Sequence, residues 1–368
     1  MIITKIDFCE RRGKKDVYWQ IKNVNLTMFN LIIGLNATGK TRLVNTIVNF
    51  AKTLAGKISY LKDGKWNIKF QNPGGKNVFQ YNLEVEDNVV LFEEMIKDKD
   101  VLLKRQKEDL EILSKIQDKM IGFSPPKSQL TPHVRRDIKE FPFLKELLNW
   151  AENFYGYMFT NTTPKQVAIP SSSGFVLENL STIPYILANA LKNREIRDTI
   201  IHDFSTIGYP VENLDVIAGK TNGFPGDRLI SVVKEKGLSY ATEQDDMSQG
   251  MFRALSVVVI LEYLLRLDKE CTVVIDDLGE GLDYERVNAV TTLLLEKLKN
   301  SKIQFIATSN DRYLINAVNI ESLNLLERND HVVSAYNYVN SKETFEEFGI
   351  TGLNNFDFFM GRMYKDEE

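Results

Sequence analysis

Leu31-Ile32-Ile33-Gly34-Leu35-Asn36-Ala37-Thr38-Gly39-Lys40-Thr41 decides the fold. An apolar run with the character of a buried strand enters a loop of the form G-x-x-x-x-G-K-T, and Arg42 to Lys52 continue at helical spacing. Strand, glycine loop and helix are the context a phosphate-binding P-loop requires. Glycine lets the backbone fold back so that its N–H groups form a nest for a phosphate at the positive end of the following helix. In that arrangement Gly34, Asn36, Ala37, Thr38, Gly39 and Arg42 line the nucleotide. Lys40 reaches the β- and γ-phosphates, and the Thr41 hydroxyl holds Mg²⁺. The reading therefore calls for ATP and Mg²⁺.

The totals narrow the rest. A chain of 368 residues can bury a large core. Its net charge of -4 leaves no global field to draw it to nucleic acid or an anionic membrane, so any nucleic-acid contact must come from a local patch. Cys9 and Cys271 lie far apart without metal-ligand spacing, which argues against a disulfide framework and a zinc site. His133, His202 and His331 are scattered rather than clustered. No stretch approaches 18 uninterrupted apolar residues, and the first residues carry no leader pattern; the expected setting is the cytoplasm, without membrane contact.

Along the chain, residues 1–10 and 16–26 read as strands joined by the basic turn Arg11 to Lys15, which is either a solvated hairpin end or a contact to a nucleotide edge or a nucleic-acid backbone. Between residues 57 and 85 the period is two: Trp66, Ile68 and Phe70, a turn at Asn72-Pro73-Gly74-Gly75, then Phe79, Tyr81, Leu83 and Val85, an antiparallel layer added to the P-loop unit. From Val89 to Met120 the stripe Leu103, Leu110, Leu113, Ile116 and Met120 predicts a charged helix closed by Ser124-Pro125-Pro126. Pro142 to Phe159 and Leu177 to Ser205 are expected to be helical, with a loop over Thr160 to Gly174. Strands are expected again at 229–233 and 238–240. The phenylalanine-rich tail from Phe345 to Phe359 either docks on its own domain or captures a partner.

Further motifs complete a site. Asp246-Met247-Ser248-Gln249-Gly250 opens a long apolar helix and offers a hydroxyl and free N–H groups to an anion. Because the chain already has a phosphate loop, this second phosphate-binding end suits the nucleotide of another subunit. Thr272 to Asp277 is an apolar strand ending in two carboxylates, of which Asp276 suits the Mg²⁺ shell and Asp277 the attacking water. Gly281-Leu282-Asp283 makes a tight turn. Ile303 to Asp311 is one more buried strand with a polar exit at Asn310, and polar residues at the carboxyl ends of parallel strands mark a ligand crevice.

In this order the motifs resemble the ABC-type ATPases and, more narrowly, their soluble SMC-like and overcoming-lysogenization-defect-like branch, whose P-loop carries Asn at its third position. The resemblance covers roughly residues 1–90 and 225–330. It implies an α/β P-loop head with a mixed sheet, in three segments: residues 1–90, a mainly helical inserted lobe over 91–225, and residues 226–368. It also implies a homodimer sandwiching ATP between the P-loop of one subunit and Ser248, Gln249 and Gly250 of the other, with Asp283 touching the partner's site and a higher oligomer open. Asp277 stands where the family usually has Glu, with Glu280 as the alternative catalytic acid. Asn310 stands at the switch position, and Gln71 and Gln80 are both candidates for the Q-loop. Standalone heads of this size accompany an effector, a nuclease or toxin encoded nearby, in anti-phage defence. Two rival readings are a nucleotide-gated sensor with little turnover and the motor subunit of a membrane transporter.

Overall fold

A computed structural model of the chain describes residues 1–12, 16–60, 62–72, 75, 77–159, 182–220 and 227–365. The chain starts with the hairpin β1 (Ile2–Arg12) and β2 (Asp16–Asn25), then β3 (Phe29–Ile33) and α1 (Lys40–Leu54). Six strands follow: β4 (Gly64–Gln71), β5 (Val78–Glu86), β6 (Val89–Lys97), β7 (Asp100–Gln106), β8 (Asp109–Ser114) and β9 (Lys119–Phe123). After α2 (Thr131–Val134) and α3 (Pro142–Glu152) come β10 (Phe154–Met158), α4 (Ile183–Ala190), α5 (Arg194–Thr206) and a small antiparallel sheet of β11 (Val211–Lys220), β12 (Asp227–Glu235) and β13 (Thr242–Glu243). The chain then runs through α6 (Gln249–Leu267), β14 (Cys271–Asp276), α7 (Tyr284–Leu298), β15 (Ile303–Thr308) and α8 (Arg312–Ala317), and ends with β16 (Leu323–Asn329), β17 (Val332–Asn337), α9 (Lys342–Ile350) and α10 (Asn355–Met360).

One mixed sheet carries 14 of the strands, in the order β10-β14-β15-β3-β16-β17-β2-β1-β4-β5-β6-β7-β8-β9. Its first five strands are parallel. Parallel strands covered on both faces need apolar residues throughout, and β14 and β15 are buried at every position. Successive side chains point to opposite faces. Leu31, Ile33, Val273, Ile275, Phe305 and Ala307 join one core with α6 and α7, whereas Ile32, Val274 and Ile306 join the other with α1 and α3. The phosphate-loop strand is thereby clamped between two cores.

The second core also takes in the added antiparallel layer. Phe50 of α1 lies 5.9 Å from the Tyr81 ring, and Trp150 of α3 lies 4.8 Å from Phe70. On the opposite side the tail packs home: Phe345, Phe348, Phe358 and Phe359 are all buried in the first core, so docking on its own domain is the outcome for this segment.

Residues 89–120 differ from expectation. They form β6, β7, β8 and the start of β9 instead of a helix, so among the described residues the helices of the expected lobe are confined to 131–152 and 183–206. The connections are tight turns without glycine, in which Asp87, Asn88, Asp98, Lys99, Lys107 and Asp118 take positive φ. Glu93, Arg105 and Thr131 form a buried network here: the Tyr81 hydroxyl and Thr131 donate to Glu93, and Arg105 donates to the carbonyls of Lys107, Pro126 and Gln129. Phe154–Met158 is likewise a strand and not the end of a helix; it pairs with β14. Residues 238–240 form no strand and lie in the irregular link between β12 and β13. Most of the Arg11–Lys15 turn, the Pro73-Gly74 turn and the 160–174 loop fall outside the described residues.

Candidate nucleotide site

The carboxyl ends of β14, β15 and β3 lie side by side, and each passes directly into one of the motifs. In the phosphate loop Ala37 (φ 64°) and Gly39 (φ 104°) take the left-handed conformation, which turns the backbone into α1. A side chain at Gly34 would meet the Thr38 hydroxyl at 2.6 Å and the Leu326 carbonyl at 2.9 Å, and one at Gly39 would meet the Trp19 ring at 3.1 Å. Glycine is required at both. Thr38 donates its hydroxyl to the Leu35 carbonyl and Arg328 reaches the Ala37 carbonyl at 3.2 Å, which fixes the loop's outline. Lys40 is buried and its Nζ donates to the Gly34 and Leu35 carbonyls at 2.8 and 3.4 Å. Thr41 opens to solvent.

Across from Lys40 stand the two carboxylates. Burial pushes the Lys40 ammonium below its ordinary pKa, while the negative charges of Asp277 and Asp276 draw it back up. Asp276 is fully buried: its Oδ1 accepts from the Thr308 hydroxyl at 2.6 Å, and its Oδ2 has no hydrogen-bond partner among the described residues. The same Thr308 hydroxyl accepts from the Asp277 N–H at 2.8 Å, which holds Asp277 at φ 54°. Asn310 donates to the Asn36 side chain at 2.9 Å and so ties the switch loop to the phosphate loop. A buried carboxylate oxygen without a partner is costly unless something cationic faces it. With the open Thr41 hydroxyl it is the donor set that suits a hydrated Mg²⁺.

Arg42 turns the other way. It pairs with Glu10 at 2.6 Å and stacks on Trp19 and Tyr18, with its guanidinium carbon 4.6 and 4.8 Å from the ring centres.

The remaining residues form a second constellation. Ser248 caps α6, its Oγ accepting from the Met251 N–H, and Ser248 and Gln249 are exposed. Gly250 packs on the Gly281-Leu282-Asp283 turn so closely that a Cβ would lie 2.3 Å from the Gly281 carbonyl. Arg253, one turn into α6, binds the Glu280 carbonyl and carboxylate and the Phe159 carbonyl. Glu280 is therefore engaged with α6. Asp283 caps α7 and pairs with Arg286. Gln71 bonds the Gly75 carbonyl and Gln80 bonds Asn82, both within the added β-layer.

Solved structures show the same architecture. The SMC head bound to the C-terminal winged-helix domain of ScpA superposes with a TM-score of 0.51 at 14% identity, over 90% of this chain and 96% of that one. The fold is that of an SMC head. A Pyrococcus furiosus Smc head with an extended coiled coil, bound to the C-terminal domain of ScpA, gives 0.51 at 11% identity over 94% and 99%. No protein-family model and no curated protein sequence matches the chain.

Within this SMC-type head, Lys40, Thr41, Asp276, Asp277, Asn36 and Asn310 come together. Ser248, Gln249, Gly250, Glu280 and Asp283 gather in a second patch, where the start of α6 packs on the turn before α7. The roles of three contributors escaped the sequence reading. Thr308, within the Ile303 to Asp311 stretch, joins the Asp276 carboxylate to the Asp277 N–H and closes its strand with a hydroxyl. Trp19 and Arg328 bear no sequence mark, because they reach the phosphate loop only through the pairing of β2, β17 and β16.

Proposed function

We propose that this protein binds Mg·ATP between the phosphate loop and the end of β14, dimerises head to tail over the nucleotide, and hydrolyses it. The observation that carries the reading is the convergence of the buried Lys40 and Asp276 with the half-buried Asp277, together with an Asp276 Oδ2 that is buried and has no hydrogen-bond partner among the described residues. Mg²⁺ bound there supplies charge neutralisation on the phosphates. Lys40, released from the Gly34 carbonyl, binds the β- and γ-phosphates; Thr41 and Asp276 hold the metal's shell. Asp277 orients and deprotonates the attacking water, and Asn310 contacts the γ-phosphate. The exposed Ser248 and Gln249, with Gly250 behind them, close the partner's site, and Asp283 lies beside it. Ser248 bonds only its own helix and Gly250 packs on the Gly281 turn, with no hydrogen bond to the phosphate loop among the described residues, which supports a site completed by a second copy.

The output of the cycle is control of a partner. Two of the similar SMC heads hold a domain of ScpA, which supports a head that engages a separate protein. The motif resemblance favours a nuclease or toxin effector encoded nearby, an anti-phage role, a cytoplasmic setting, and either a dimer or a higher oligomer, with nucleic acid as an additional ligand. Among the described residues no helix is long and apolar enough to cross a membrane. A second reading, a nucleotide-gated sensor with slow turnover, is favoured by one observation: Asp277 is a methylene shorter than Glu and its backbone is pinned by Thr308.

Size exclusion with light scattering, run with phosphate release on the same samples, tests both. Asp277→Asn is expected to form ATP-dependent dimers that persist, with hydrolysis reduced by roughly a hundredfold or more, and Lys40→Ala to bind no ATP. A wild type that dimerises as durably and releases almost no phosphate establishes the sensor. Undiminished ATP affinity in Lys40→Ala overturns the site.

A further inference from the structure

The large sheet ends at β9, which pairs with β8 alone. Which of its backbone groups are left over follows from alternation. The Lys107 N–H, just beyond β7, donates to the Leu91 carbonyl of β6 at 3.0 Å, and in an antiparallel ladder successive residues point their N–H and C=O to opposite neighbours. Gln106 therefore bonds β8, Leu110 and Ile112 bond β9, and Phe123 and Ile121 are the residues of β9 that answer them. The N–H and C=O of Met120 and Gly122 are left pointing off the sheet, and both residues are exposed. Among the described residues nothing bonds to that edge.

The edge carries few of the devices that block association. β9 has no proline, pairs with β8 without a bulge, and holds a single charge, Lys119, at its start. Apolar side chains lie on both of its faces. Met120 is 38% exposed on one, and Ile121 and Phe123, half-buried at the rim of the second core, lie on the other. An open apolar edge of this kind is a template for another strand, and a second copy of β9 matches it. A two-fold axis through Ile121, the middle of the five residues, pairs the whole strand antiparallel with itself. In that register Met120 exchanges backbone bonds with Gly122 of the partner subunit, Ile121 packs on its own counterpart, and Lys119 lies across from an aromatic ring. Like charges nowhere face each other.

We propose that β9 pairs with β9 of a second copy, joining two sheets edge to edge in a dimer that needs no nucleotide. β9 stands ten places along the sheet from β3, so the contact is separate from the ATPase reading and does not rest on it. Light scattering with size exclusion on the full chain, without nucleotide, is expected to give the mass of a dimer. Gly122→Pro is expected to halve that mass with the fold intact. Proline is tolerated on an edge strand whose N–H faces solvent, and a Cβ at Gly122 meets nothing nearer than the Leu110 carbonyl at 3.8 Å. Because residue 121 faces itself, Ile121→Lys and Ile121→Glu are each expected to be monomeric, like charges being directly opposed, and their equimolar mixture to recover the dimer. A monomeric wild type, or a dimer untouched by Gly122→Pro, overturns the proposal. A mixture of Ile121 variants that are folded by circular dichroism yet stay monomeric also overturns it, and assigns the edge to some other strand. Adding Mg·ATP to Gly122→Pro tests the nucleotide-dependent dimer separately.

Discussion

Glu10 shows how much one buried side chain can organise. It lies on the same face of β1 as Phe8 and holds both Arg42, the residue after the P-loop threonine, and Lys62. Burial alone would raise its carboxyl, but the hydrogen bonds and charges of Arg42 and Lys62 outweigh burial and hold it below its ordinary 4.5. A carboxyl depressed on folding contributes stability that is complete above its unfolded pKa and is lost as pH falls through the folded value. Glu10→Gln is therefore expected to cost about 1–2 kcal/mol at pH 7, with the gap to wild type shrinking below pH 4.5. Urea unfolding across pH checks it; a gap independent of pH would mean that the carboxylate's charge is irrelevant. At this same scale the grouping of the candidate site was legible: Lys40, Thr41, Asp276, Asp277 and Asn310 each stand in a local motif, and the fold brings those motifs to one end of the parallel strands. Glu10 and Thr308 were not, because their importance arises from which strands pair.

At the scale of elements, legibility depended on punctuation. β3 with α1, and β14 and β15, are bounded by glycines or polar exits, and the three strands are predominantly apolar, so strand and helix were read correctly. Residues 89–123 carry no glycine or proline at their first three turns, and Leu103, Leu110 and Leu113 recur at seven and three, a spacing equally proper to a helix face. What settles the matter is cross-strand pairing: Leu103 opposes Met95 and Ile112 across β6 and β8. The hairpin turns bear the strain. Lys99 sits at φ 109°, where a Cβ is unwelcome. Lys99→Gly is expected to stabilise the protein by about 1 kcal/mol, seen as a rise in Tm; a fall would show that Lys99 holds its turn by contacts that outweigh the backbone cost. The buried Glu93–Arg105 pair works in the other direction, fastening the meander to the 124–130 segment through backbone carbonyls that no sequence pattern announces.

For the whole molecule the proposal of a shared site makes a sharp demand on Ser248. It is exposed, caps only its own helix, and touches nothing in its own phosphate loop among the described contacts. Ser248→Arg is expected to leave ATP affinity within about twofold of wild type while abolishing ATP-dependent dimers in light scattering. Loss of ATP binding by the isolated variant would contradict a site completed in trans. The distribution of the sheet also explains why the outline of the molecule was less legible than its chemistry: nine of the 14 strands lie outside the parallel block, and their order reverses direction relative to the chain at β17, β2 and β1.

That order has a consequence for synthesis. β3, which carries the phosphate loop, is flanked by β15 on one side and β16 on the other, strands that begin some 270 and 290 residues later in the chain. The β1–β2 hairpin and the meander from β4 to β9 can pair from near neighbours as they leave the ribosome, but the phosphate loop cannot be framed until residue 329 has emerged. If the proposed reading holds, competence toward ATP is acquired only once residue 329 is available, and a chain abandoned before that point would be inert toward the nucleotide.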